Sequence, residues 1–71
     1  MNASEIRSLS TEEIISQLEE ARHELMNLRF QQATGELVNT AQIPETRHLI
    51  ARLLTVLHER DYEAEVTEGE A

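Results

Sequence analysis

Glu24-Leu25-Met26-Asn27-Leu28-Arg29-Phe30-Gln31-Gln32-Ala33-Thr34-Gly35-Glu36-Leu37 decides the fold, because one helix ends inside it and the chain turns back. Leu25 and Leu28 are spaced for one face of a helix. Thr34-Gly35 then stops it, since Gly35 is free to take the left-handed conformation that closes a helix C-terminus. Arg29, Gln31, Gln32 and Thr34 set hydrogen-bonding groups beside the apolar edge.

Upstream, Ser10-Thr11-Glu12-Glu13 fits a capping box, with Leu9 and Ile14 placed as a hydrophobic staple. Ile14, Leu18, Ala21, Leu25 and Leu28 recur at spacings of four and three. That is the seam of one long helix that packs on a partner helix. About 24 helical residues make a rod of about 36 Å. Before it, Asn2 to Arg7 can form one or two turns with Asn2 as cap.

Downstream, Glu36 to Ile43 is a short polar connection, and the next helix starts between Thr40 and Pro44. Ile43, Thr46, Ile50, Leu53, Leu54 and Leu57 share one face of that helix, with Leu49 and Val56 to one side. A connection this short suits antiparallel neighbours. The expected fold is therefore all-α: a long antiparallel two-helix hairpin with a short N-terminal helix. Residues 1–60 form the hairpin domain. Residues 61–71 lose the apolar pattern and read as a disordered acidic C-terminal tail. In the hairpin, Ile14, Leu18, Leu25 and Leu28 are expected to face Ile50, Leu53 and Leu57.

The 71 residues allow one small domain with a thin core, and with no cysteine no disulfide supports it. Much of its apolar surface should be covered by something else. The net charge of −8 argues against nucleic acid and anionic membranes when taken as a sum. Its distribution argues otherwise. Residues 1–21 hold one Arg against five Glu, and residues 61–71 hold five acids and no base. Residues 22–60 hold five Arg against four Glu, together with all three His. Every side-chain cation of fixed charge is Arg, the better fork for phosphate. The first residues lack the basic-then-apolar pattern of a signal peptide, and no apolar run is long enough to span a bilayer. A cytoplasmic protein with no membrane partner is the expectation.

Catalysis finds no support. There is no Gly-rich phosphate loop, no HExxH and no cysteine nucleophile, and a two-helix hairpin offers no pocket for a small-molecule substrate. Glu20-Ala21-Arg22-His23 and Glu45-Thr46-Arg47-His48 both have the Glu-x-x-His spacing of di-iron bundles. Both point away from the seams, however, and a metal needs inward ligands. No metal or cofactor is expected. Arg22 and Arg29 flank the first seam, and Ala51 and Thr55 form a small-residue strip edged by His48, Arg52 and His58. Small residues admit close approach of another surface, where guanidinium and hydroxyl groups reach phosphate and sugar. The competing reading is an acidic helical adaptor that binds a partner protein through its leucine seam.

The run ELMNLRFQQATGEL at Glu24 to Leu37 resembles the signature of the large-subunit ribosomal protein numbered twenty-nine in the bacterial scheme. MNASEIRSLSTEEI at the start and IARLLTVLHER at Ile50 to Arg60 resemble that family's first turns and last helix, without gaps from Met1 to about Arg60. The resemblance implies a non-enzymatic structural constituent of the large ribosomal subunit. It implies binding to the first domain of large-subunit ribosomal RNA near the polypeptide exit, beside ribosomal protein twenty-three. Nascent-chain chaperones and the signal recognition particle dock nearby. Residues carried over as RNA contacts are Arg29, Gln32, Thr34, Gly35, Asn39, Arg47, Arg52 and Thr55. Family members are usually lysine-rich. This chain has no lysine, and Gln42, Pro44, His48, Leu54 and His58 stand where basic residues are common.

Overall fold

The computed structural model describes residues 1–70, with side chains described through residue 64. It contains three helices in order: α1 (Ala3–Arg7), α2 (Thr11–Thr34) and α3 (Gln42–Glu70). Each starts or stops where local chemistry dictates. The Asn2 side chain accepts from the Glu5 N–H at 2.9 Å and caps α1. Ser10 accepts from the Glu13 N–H at 3.2 Å and caps α2. Leu9 packs on the core cluster that contains Ile14, as a staple requires.

Gly35 ends α2 with φ 80° and ψ 9°. Glu36 donates its N–H to the Gln31 carbonyl at 2.8 Å, and Gly35 donates to Gln32 at 3.2 Å. These two bonds make a Schellman turn, which satisfies the last carbonyls of the helix. A Cβ at Gly35 would meet nothing within 4 Å, so the requirement is conformational and not steric crowding. Gly35→Ala should therefore cost about 1–2 kcal/mol in urea unfolding, and Gly35→Asn less, because Asn tolerates the left-handed region. Equal stability of all three proteins would show that the turn does not depend on that conformation.

The connection is short. Asn39 accepts from the Ala41 N–H at 3.1 Å through its side chain, and the Asn39 carbonyl accepts from Gln42 at 3.3 Å. α3 thus begins at Gln42, inside the expected interval, with Pro44 in the first turn where its missing N–H leaves no bond unmade. The long helices are antiparallel. They pack along their length across this connection, and Arg60 late in α3 reaches Thr11 at the start of α2.

The core sits at the end where three helices meet. Ile6, Ile14, Leu18, Ala21, Leu53 and Val56 form one buried cluster, with Leu9, Leu49, Ile50, Leu54 and Leu57 packed against it. Two details differ from the seam read in the sequence. Leu25 and Leu57 are only half-buried, whereas Val56 is 3 % exposed. The reason is α1: Ile6 lies at 0 % exposure, and its approach rotates the buried stripe of α3 toward Val56. Towards the connection only two helices remain, so each buries one narrow stripe. Leu28 is buried there, while Met26 and Phe30 are 65 % and 68 % exposed.

Residues 61–70 continue α3, and Ala71, the last residue of the expected acidic tail, lies outside the described residues. The apolar pattern ends at Arg60, but the helix propensity does not. Ala and Glu are good helix formers, and neither Pro nor Gly interrupts before Gly69. The boundary between residues 60 and 61 is thus a change of charge and contact within one helix. The molecule measures 55 × 19 × 16 Å, with a radius of gyration of 15.3 Å. A compact chain of this length would have about 11 Å. Such a rod has too much surface for its volume to bury its apolar residues alone.

Candidate nucleic-acid interface

All eight residues expected to touch RNA are exposed. Six of them gather near the connection. Gln32, Thr34, Gly35 and Asn39 build the turn itself. Arg29 precedes Thr34, the end of α2, by five positions, and Arg47 follows Gln42, the start of α3, by five. Each is about 8 Å from the connection along its helix. The turn is rigid. Thr34 donates through Oγ1 to the Gln31 carbonyl at 3.1 Å, and Asn39 is held by its bond from Ala41. A partner surface would meet preorganised polar groups here, flanked by two guanidinium groups that make no hydrogen bond or ion pair among the described residues.

Arg52 and Thr55 lie farther along α3 and are engaged differently. Arg52 donates Nη1 to the Met1 carbonyl at 3.1 Å. Thr55 donates Oγ1 to the Ala51 carbonyl at 2.8 Å, within its own helix. A surface groove of about 400 Å³ lies over Met1, Glu45, Thr46, His48, Leu49 and Arg52. A second, of about 390 Å³, lies over Pro44, Arg47, His48 and Ala51. In the second, the small side chain of Ala51 leaves room beside Arg47 for another surface to approach the helix.

Arg60 has a structural role that is not among those expected from the sequence. Its guanidinium donates to Thr11 Oγ1 at 3.0 Å, the Arg7 carbonyl at 3.2 Å and the Leu9 carbonyl at 2.6 Å. It thereby satisfies the backbone of the turn between α1 and α2, while Arg7 and Glu59 pair at 3.2 Å alongside. The spacing pointed to it: Arg60 follows Leu53 by seven and Val56 by four, so it continues the core face. A cation on an apolar face is expected to hold carbonyls.

Glu20, His23, Glu45 and His48 are exposed, as their direction away from the seams requires. No group of three or more metal-binding side chains is present among the described residues. Most of the leucine seam packs inside the hairpin, and Leu25 is half-buried.

The family model described as ribosomal L29 protein matches residues 4–60. That span contains α1, α2, the connection and α3 as far as Arg60. The chain belongs to the ribosomal L29 protein family. Curated relatives carry the name large ribosomal subunit protein uL29. The one from Rubrobacter xylanophilus is 54 % identical over 63 residues, covering 89 % of this chain and 94 % of its own length. The one from Lactobacillus delbrueckii subsp. bulgaricus is 51 % identical over 63 residues, covering 89 % of this chain and 97 % of its own. The relative from Nocardia farcinica is 51 % identical over 59 residues, covering 83 % and 75 %. The ribosomal L29 family is one of structural, non-enzymatic ribosomal components. No helix among the described residues is long and apolar enough to cross a membrane. In all three relatives the similarity covers most of the chain.

Proposed function

We propose that this chain is a structural constituent of the large subunit of the cytoplasmic ribosome, where it binds large-subunit ribosomal RNA near the polypeptide exit. The observation that carries this reading is the family match, which takes in both long helices and the polar turn between them. Its neighbour is ribosomal protein twenty-three, with nascent-chain chaperones or the signal recognition particle close by. The RNA contacts are the turn group Gln32, Thr34, Gly35 and Asn39, flanked by Arg29 and Arg47. Fixed hydroxyl, amide and backbone N–H groups of this kind contact sugar and phosphate, and the guanidinium forks give charge-assisted bonds. The rod shape fits this role, since a partner covers the apolar surface that two helices leave open.

The experiment is co-sedimentation. The full chain should remain with large subunits through a high-salt wash, and its release with the free protein fraction would end this reading. The acidic end supplies a second expectation. Residues 61–71 carry five acids and no base. Deleting them should leave association unchanged or slightly stronger, because phosphate repels them. A truncated chain that no longer joins large subunits would make residues 61–71 a binding element.

A further inference from the structure

We infer that phosphate is met by one flank of the hairpin only, the flank opposite α1, and that its cations are Arg22, Arg29 and Arg47 and not Arg52. This rests on the RNA-binding reading above and adds to it which side faces the RNA.

Rotation about the helices divides the charged side chains. On α2 the buried direction is set by Ile14, Leu18, Ala21 and Leu28. At 100° per residue, Arg22 and Arg29 lie about 60–80° to one side of it, and Glu13, Glu20 and Glu24 about 80–120° to the other. On α3 the buried direction is set by Thr46, Leu53 and Val56. Arg47 lies about 130° from it in the same rotational sense, and Glu45, Arg52 and Glu59 about 70–110° in the opposite sense. In an antiparallel pair the same sense on both helices leads to the same flank. Arg22, Arg29 and Arg47 therefore share a flank, and the five Glu share the other.

Contacts identify the second flank independently. Arg52 bonds the Met1 carbonyl and Glu59 pairs with Arg7, so α1 lies there. Gln17, rotated that way, is half-buried, while Ile15, rotated the other way, is 44 % exposed. The six arginines thus divide in two. Arg7, Arg52 and Arg60 bond α1, its neighbouring backbone or Glu59. Arg22, Arg29 and Arg47 are exposed and make no such bond among the described residues. Glu12 and Glu19 point outward from the hairpin. Among the residues with described side chains in α2 and α3, Asp61 is an acid that falls on the arginine flank. A polyanion is attracted to one flank and repelled from the other, so a net charge of −8 does not prevent binding.

The test is the salt dependence of equilibrium binding of the full chain to protein-free large-subunit ribosomal RNA. Each phosphate contact adds about one to the slope of log affinity against log salt. Arg22→Gln, Arg29→Gln and Arg47→Gln should each lower the slope by about one and weaken binding several-fold. Arg52→Gln should leave the slope unchanged and loosen only the Met1 end, read as faster amide exchange in α1. The assignment is overturned if Arg52→Gln lowers the slope or Arg22→Gln does not. If the unchanged chain shows no salt-dependent binding at all, the RNA-binding reading fails and this inference with it.

Discussion

Replacing Leu53 by Ala should lower the thermal midpoint of the free chain by well over 10 °C, and at 37 °C leave much of it unfolded. Leu53 is fully buried and lies in the cluster where α1, α2 and α3 meet. Truncating such a leucine removes its transfer energy and leaves a cavity, at a cost of about 2–5 kcal/mol. A chain of this size has about 4–11 kcal/mol in total, and an elongated one without disulfides belongs at the low end. For so small a domain each kcal/mol moves the midpoint by about 4–8 °C. The same truncation at Leu25, which is half-buried, should cost distinctly less. Circular dichroism melts of the two variants check this. A Leu25→Ala protein that melts as low as Leu53→Ala would place the core midway along the hairpin, away from the three-helix end.

The difference between those two leucines shows where the sequence is sufficient and where it stops. Caps and stops are local chemistry, so Asn2, Ser10 and Gly35 could be read directly and occur as expected. The hairpin also follows from two apolar stripes joined by a short connection. Depth of burial is not local. Leu25 and Leu28 belong to the same stripe, but only Leu28 is closed over, and Val56 is buried because Ile6 packs from a five-residue helix. The seven-residue spacing does not reveal that a third element enters from one side. Charge behaves in the same way. The acidic ends and the neutral centre are visible in the sequence, whereas which arginines bond the backbone depends on where α1 docks. Arg52 donates to the Met1 carbonyl, and Arg60, with no role assigned, holds the turn between α1 and α2. The helix beyond Arg60 has a related explanation, because an apolar pattern reports partners and is silent on helix length.

Reversing Arg29 and Arg47 together to Glu should abolish incorporation into large subunits, while the free chain stays as helical as before. Both side chains are exposed and lie outside the core, so the fold loses nothing that holds it together. At the RNA surface the change is large: two guanidinium forks become two carboxylates, and a pair of charge-assisted bonds becomes a pair of repulsions. The opposite reversal, Glu12 and Glu19 to Lys, changes net charge by the same amount in the other direction and should barely alter incorporation. Those two glutamates lie ten or more residues, about 15 Å or more, before Arg29 along α2, and near 0.15 M salt the Debye length is about 8 Å, so phosphates held by Arg29 and Arg47 scarcely sense them. The two reversals separate local field from total charge. If net charge governed association, the Lys pair would strengthen incorporation about as much as the Glu pair weakens it. If the arginine flank governs, only the Glu pair matters. Full incorporation of the Arg29→Glu, Arg47→Glu protein would remove the charged face proposed for this rod. What would then remain is the turn of Gln32, Thr34, Gly35 and Asn39, contacting RNA by shape and neutral hydrogen bonds alone.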